Sequence, residues 1–506
     1  MSDRHLIIIG GGLAGLSAGC YARRAGFRTT IVEHNLALGG VCTAWQRGAY
    51  LVDGCIHWLT GGAFQQVYEE LEILPAVKLN VLDSWVTYRD ARSGFEVALT
   101  RDLDALAGRL TEASPEDAGE IARMREGARA LLAMHPSMDS PELATVGDTM
   151  GQLWEMRGAL GSLVHFRKPM GRWAAEHIQS PQLRRMFTQL MPESTPALFL
   201  LMVLGYLGEG FLSRPVGGTD AFRDALVHTY RSLGGEAIVH ATVDEVIVRG
   251  DRARGVRLAD GTIMDADLVL STSSGPETVL RLLGGRYEGD AMRKRMAEWK
   301  TFDPIVLASF GVAAPFVDAP SLLKIDRVPP IEVGGRVTDS LMLRVCNDDP
   351  CFAPEGHAVI QALVPTDYEW WATRGVRYNN EKDVLAERLV GVLAPHFPGM
   401  ADLVRMTDLA TPLTYWHTAR SWRGAFEGWL PSSDAIFARL HKRLQGLDGF
   451  YMAGQWVEPG GGVPTAVMSG RHAVQLICAD EGREFIATGM SWNDGRVPRR
   501  GAAARG

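Results

Sequence analysis

Gly10, Gly12 and Gly15 stand in a G-x-G-x-x-G frame directly after the apolar run Leu6–Ile9, with Leu13 and Ala14 between the last two glycines. Each glycine meets a separate steric demand. The first permits a tight turn out of the strand, the second lets a pyrophosphate approach the backbone, and the third lets the following helix pack against the strand. That helix, read over Leu16 to Gly26, aims its positive end at the phosphates. A second strand, Arg28–Val32, delivers Glu33 eighteen residues after Gly15. A carboxylate there accepts ribose hydroxyls and repels a 2′-phosphate, so the unit predicts FAD or NAD rather than NADP.

Two further stretches point to what such a cofactor does. In LGGVCTAWQRGAYLVDGCIHWLTGG (Leu38–Gly62), Gly39 and Gly40, followed by Val41, offer a second close backbone approach that a simple NAD domain does not need. His57 in the same stretch is a candidate acid or base; a histidine that only positions backbone or cofactor reads the same way. In AGQWVEPGGGVPTA (Ala453–Ala466), Gly460, Gly461 and Gly462 lack a Cβ, so the backbone can press against a planar ring. Pro464 suits a first helical turn. Val463, Ala466, Val467, Gly470, Ala473, Val474 and Ile477 then recur at helical spacing. The start of that helix, carrying roughly half a positive charge, would stabilise negative charge on such a ring. No Rossmann unit follows this loop, which argues against a second nucleotide. Glu458 either faces the ring or caps the loop. Tyr415, Trp416, Trp422 and Trp429 either line a substrate channel or fill a core.

The elements that position these residues are spread along the whole chain. At 506 residues it exceeds one ordinary core, and 46% hydrophobic with 22% charged residues is normal for an α/β protein. A net charge of −7 gives no reason to expect nucleic acid, and six scattered cysteines show neither a CxxC nor a metal-type spacing. Free thiols fit a reducing cytoplasm. The apolar N-terminus is broken by glycines and reads as a strand, not a signal peptide. Pro196–Leu212 is interrupted by Gly205, Gly208 and Glu209 and reads as a buried helix, with a membrane-touching surface as the alternative.

Strand-like runs at Ala237–Val239, Val243–Arg249, Ala253–Leu258 and Asp267–Leu270 bring Val243 beside the adenine and return the chain to the main sheet. The cofactor domain is thus read as discontinuous (1–75, 215–290 and 405–480). A substrate domain takes 76–214, largely helical over 101–187, and 291–404, with strands at 304–312, 341–346 and 357–364. The tail 485–506 reads as flexible.

With Ile7–Gly19 plus Glu33, Leu38–Gly62, Pro215–Ser274 and Asp408–Cys478 in this order, the chain resembles the phytoene desaturase-related flavoprotein family, which includes carotenoid desaturases, carotenoid isomerases and retinol saturases. The resemblance implies an α/β fold: a GR2-type, Rossmann-like FAD domain with a parallel sheet, interleaved with a mixed α+β substrate domain. It implies FAD as cofactor and places His57 near the flavin. Two positions depart from the family pattern. Val41 stands where the family often has arginine, and Gln455 follows Gly454 where it often has aspartate. The diphosphate is therefore expected to rest mainly on backbone N–H groups, and the Gln455 amide to meet a ribityl hydroxyl.

The expected activity is desaturation, saturation or cis–trans isomerisation of carbon–carbon double bonds in a long apolar polyene or isoprenoid-like substrate, with His57, Tyr415 and Trp416 near it. With no second G-x-G-x-x-G, electrons would pass to or from quinone, oxygen or a protein. A flavin amine oxidase and a non-enzymatic prenyl-lipid carrier are the alternatives. The basic and aromatic stretch His165–Phe187 suits a peripheral membrane contact, although a solvated helix face has the same composition.

Overall fold

The computed structural model describes residues 4–132, 137–433, 435, 438 and 440–488. His5–Ile9 is the centre of a five-stranded parallel sheet, flanked by Arg28–Val32 and Glu236–Ile238 on one side and by Leu268–Ser271 and Phe450–Met452 on the other. After His5 the strand is apolar, Leu6–Ile9, because both of its faces are covered. Leu6 and Ile8 enter a core with the helices Leu13–Arg24, Gly218–Ser232 and Gly462–Glu481. Ile7 and Ile9 enter another core beneath the antiparallel strands Val243–Arg249, Arg252–Leu258 and Ile263–Asp265.

The C-terminal helix Gly462–Glu481 lies against Leu13–Arg24 at a glycine. A Cβ on Gly470 would stand 2.5 Å from the Ala14 carbonyl oxygen and 2.8 Å from the Ala18 nitrogen. Ser17 Oγ also donates to the Val467 carbonyl at 2.7 Å. This close approach brings the start of the last helix beside the first glycine loop, joining the two ends of the chain at one place.

A second, seven-stranded sheet runs Val404–Ala410, Ile305–Val312, Ala358–Pro365, Arg336–Cys346, Leu322–Val333, Ser84–Asp90 and Glu96–Thr100. One face packs on helix Tyr378–Leu393 through Leu385, Leu389 and Leu393. Trp85, Tyr88, Val97 and Leu322 meet a cluster of helices between 103 and 208. Helix Ala197–Gly208 is buried in that cluster, and among the described residues no helix is long and apolar enough to cross a membrane.

Several sequence expectations need correction. The cofactor segment drawn from 405 begins inside an edge strand of the seven-stranded sheet, because Leu307–Val312 pairs with Val404–Ala410. Strand Leu322–Val333 was not read, since its register breaks between Asp326 and Ile331, around Pro329 and Pro330. The expected tail begins with ordered chain: Phe485 lies 5.4 Å from the Tyr21 ring and 4.9 Å from the Arg471 guanidinium. The rest of that tail, 489–506, lies outside the described residues.

Candidate functional site

An elongated cavity runs from the first glycine loop to the underside of the seven-stranded sheet and holds about 1500 Å³ of atom-free space, its mouth included. Its first end lies at the carboxyl ends of the parallel strands, where open α/β sheets bind ligands. Gly10, Gly12, Leu13, Ala14, Glu33, Gly39, Gly40, Val41 and Val243 all line it. Gly10 has φ +98°, and a Cβ on Gly15 would lie 2.1 Å from the Gly10 carbonyl oxygen, so Gly15 shapes the loop from behind without lining it. Gly39 N–H donates to the Gly11 carbonyl at 2.8 Å and pairs with Gly12 as a parallel bridge, setting the second glycine pair directly on the first loop. Glu33 accepts from Gly11 N–H at 2.6 Å and Asn35 N–H at 2.8 Å. Burial pushes its carboxyl above the usual range, against the pull of those two N–H groups. The Val243 carbonyl expected beside an adenine also accepts from Arg281 at 2.9 Å.

At the opposite end the wall comprises Gly54, Cys55, His57, Tyr415, Phe426, Glu427, Gly454, Gln455, Gly462, Val463 and Ala466, with Ile305, Leu307 and Leu363 from the seven-stranded sheet. The last helix opens toward it through Gly462, Val463 and Ala466; Pro464 lies in its first turn, off the wall. His57 is fixed by its backbone, since its carbonyl accepts from Arg214 Nε at 2.7 Å and Arg344 Nη1 at 3.2 Å. Its Nε2 is buried without a hydrogen-bond partner among the described residues. Burial, then the Arg344 charge, pulls the imidazole down to about 4, so it is neutral at physiological pH. Burial pushes Tyr415 well above the usual phenol range and Glu427 up to about 7.

Among the described residues, four cavity-lining groups have a buried polar atom with no protein partner: His57 Nε2, Ser274 Oγ, Tyr415 OH and Arg420 Nε. Buried polar atoms are normally paired, so this concentration is the mark of a site whose partners come from a ligand. The cradle fits a dinucleotide flavin. A Cβ on Gly12 would meet no protein atom closer than 3.8 Å, leaving that backbone open on the cavity side.

Several sequence candidates stand elsewhere. Glu458 is absent from this cavity: its Oε1 meets His472 Nδ1 at 2.7 Å and its Oε2 lies 3.4 Å from Lys442 Nζ. Burial alone would raise its pKa, but His472 and Lys442 hold the carboxyl below the usual range. It is an internal ion-pair residue, not the catalytic group expected from its place beside the glycines. Trp416 is also off the wall, under the Arg420 guanidinium at 5.3 Å. Gly461 is wedged against Phe302 and Glu427, 3.1 and 3.2 Å from an added Cβ, so the expected three-glycine platform narrows to Gly462. Gln455 lines the cavity but donates its amide to the Phe426 carbonyl at 2.8 Å, anchoring the segment that carries Glu427.

The sequence reading did not single out Thr272–Ser274, Arg281, Arg420 or Glu427. Thr272, Ser273 and Ser274 follow Leu268–Ser271, a strand end where polar residues were a usable signal. Glu427 is masked by the aromatic run around it. Glu120, His165 and His177 lie close enough to share an ion, but Glu120 already accepts from His165 and Trp173, and no metal is assigned.

Glu458→Gln should leave flavin content unchanged and lower the thermal midpoint, because it leaves Lys442 and His472 buried beside a neutral partner, costing about 1–3 kcal/mol. Because the folded carboxyl lies below its unfolded value of 4.5, the wild-type contribution is complete above that value and is lost as pH falls. A midpoint difference that persists unchanged at pH 3 would contradict this role.

The model of the family described as flavin containing amine oxidoreductase matches residues 13–478. A phytoene desaturase (lycopene-forming) of Paracoccus sp. is 25% identical, covering 94% of this chain and 97% of its own length. Prolycopene isomerase 1 of an Oncidium hybrid cultivar is 23% identical, covering 94% and 84%. The crystal structure of an oxidoreductase from Methanosarcina mazei superposes with a TM-score of 0.59 at 19% identity, over 93% of this chain and all of that one.

Proposed function

As a member of the flavin-containing amine oxidoreductase family, the chain is an FAD-dependent oxidoreductase, and we propose that it acts on carbon–carbon double bonds of a long, apolar polyene or isoprenoid-like substrate. The observation that carries this reading is the make-up of the cavity beside the last helix. Ile305, Leu307, Leu363 and Phe426 supply hydrocarbon, while burial favours the uncharged forms of His57, Tyr415 and Glu427. An apolar alkene loses no solvation on entering such a chamber; a charged substrate does. Bound FAD supplies hydride acceptance and donation. The chain's residues would hold the substrate against it, exclude water, and hold or move a proton at Glu427 or His57. Electron exchange with quinone, oxygen or another protein belongs to this reading.

A flavin amine oxidase is the second reading, favoured by one observation: Glu427 is an acid in the chamber that an ammonium group would draw into its charged form. Incubating holoprotein with polyenes, retinoids and amines, and separating products by chromatography, discriminates the two. Altered polyene or retinoid with untouched amines is expected; amine consumption alone would overturn the proposal.

The stretch His165–Phe187 offered a membrane contact only as the other reading of a solvated helix face, and its packing gives that contact little support. Phe166, Trp173 and Phe187 are buried, Lys168 and Arg172 pair with Glu176, and Arg185 pairs with Asp326. Helix Val146–Glu155 instead exposes Val146, Met150 and Trp154 by 79, 67 and 69%, one turn apart. Arg157 lies 4.5 Å over the Trp154 ring. We place the membrane-facing surface here, as an apolar helix face of the interfacial kind. Flotation with phosphatidylcholine vesicles should recover wild-type protein, and Val146→Glu with Trp154→Glu should reduce recovery about tenfold. Equal recovery would contradict the placement.

A further inference from the structure

We infer that Arg420 supplies the cation that stands against the cofactor's diphosphate in this chain, in place of the arginine that is absent at Val41; the inference rests on the FAD reading above. A diphosphate held away from bulk water requires donors or a cation beside it. The described cavity wall contains two arginines, Arg281 and Arg420, and no lysine. Arg281 is already engaged: Nε with Glu277 at 2.5 Å, Nη1 with Asp244 at 3.0 Å and Nη2 with the Val243 carbonyl at 2.9 Å. Arg420 has no carboxylate partner among the described residues, and its Nε is buried without a hydrogen bond.

Where Arg420 stands also fits an anion near the nucleotide rather than near the ring. Its charge reaches His34, the residue after Glu33, where it adds to burial in lowering the imidazole pKa. His34 is itself tied to Thr242 and to the His417 carbonyl, so the segment bearing Arg420 lies along the first glycine loop's side of the cavity. Trp416 supports the guanidinium from behind at 5.3 Å, a cation–π contact that orients it. This accounts for Trp416 without placing it on the substrate.

The backbone offers an independent argument. Arg420 ends helix Pro412–Ala419 in the left-handed region, with φ 50° and ψ 31°. Glycine is the relaxed choice at such a position. A side chain kept there against its own backbone preference is the kind of local strain that accompanies function. A role confined to ending the helix would be served better by glycine, and this separates the two explanations experimentally.

The test uses apoprotein prepared from the holoprotein, titrated with FAD and with riboflavin, for wild type and for Arg420→Gly, Arg420→Gln and Arg420→Lys. Arg420→Gly should melt at or above the wild-type temperature as apoprotein. Its FAD Kd, and that of Arg420→Gln, should rise about 10- to 100-fold, the scale of one lost charge-assisted contact. Riboflavin, which has no phosphate, should bind all variants equally, and Arg420→Lys should retain most of the FAD affinity. FAD binding within twofold of wild type in both Arg420→Gly and Arg420→Gln would overturn the assignment. Wild-type apoprotein that takes up neither ligand would overturn the FAD reading itself, and the assignment with it.

Discussion

Gly15→Ala should yield a protein purified without flavin, and Gly12→Ala a normally folded protein that binds FAD poorly. The two substitutions add the same methyl group to neighbouring turns of one loop, so their difference isolates cause. On Gly15 the new Cβ would lie 2.1 Å from the Gly10 carbonyl oxygen and 3.2 Å from both Gly10 C and Thr272 Oγ1. Those are mostly backbone atoms that cannot rotate away, so the helix Leu13–Arg24 must move off the strand end. Such overpacking costs about 1–3 kcal/mol or more and also displaces Gly470 and the last helix, which rest on Ala14 and Ala18. On Gly12 the nearest protein atom is 3.8 Å away. The methyl group there disturbs only what occupies the cavity. The expected pattern is a lowered apoprotein midpoint for Gly15→Ala alone, with loss of the visible flavin absorption in both. A yellow Gly15→Ala protein with wild-type stability would show that the loop does not have this geometry.

Glu427→Gln should lower kcat/KM by about 100-fold, the lower end of what one positioned proton-transfer group contributes, and should flatten the pH profile. Burial lifts the Glu427 carboxyl from 4.5 to about 7, so it is largely protonated below pH 7 and ionised above. If the reaction draws on the acid, activity falls as pH rises through 7; if it draws on the base, activity rises there. His57 titrates near 4 and gives no such limb between pH 5 and 9. The stability sign is fixed independently. The folded pKa exceeds the unfolded one, so the native state binds more protons, and wild-type stability declines as pH rises from 4.5 through 7. Glu427→Gln should therefore be the more stable protein at pH 8. A variant that keeps the wild-type pH limb would remove Glu427 from the chemistry.

What could be read from the sequence was what local pattern controls. The strand His5–Ile9, the glycines after it and the acid at Glu33 each carry a demand that shows in adjacent letters, and they come together as expected in spacing. The same holds for Gly462 and the helix behind it. Glu458 was misread because proximity in sequence to a glycine run says nothing of direction: its side chain turns to His472 and Lys442, which lie elsewhere in the sequence. Glu427 and Arg420 were passed over for the converse reason. Their significance comes from standing, with no ion pair among the described residues, in a wall assembled from distant segments, a property that no window of residues displays. Three strands of the seven-stranded sheet were seen, while Ser84–Asp90, Glu96–Thr100 and Val404–Ala410 were missed along with Leu322–Val333, which Pro329 and Pro330 interrupt. The exposed apolar stripe Val146, Met150 and Trp154 is ordinary amphipathic spacing; only the structure reveals that the stripe faces outward.

The most direct test of the central claim is one anaerobic cuvette of holoprotein, with flavin oxidised in one trial and reduced in another, in which flavin and substrate absorption are followed together while polyenes, retinoids and amines are added in turn. The account predicts that an apolar polyene or retinoid changes its own absorption bands, with flavin bleaching or recolouring if the reaction is a net oxidation or reduction, and that amines do nothing. Flavin bleached by an amine, with every alkene left unchanged in both trials, would contradict it.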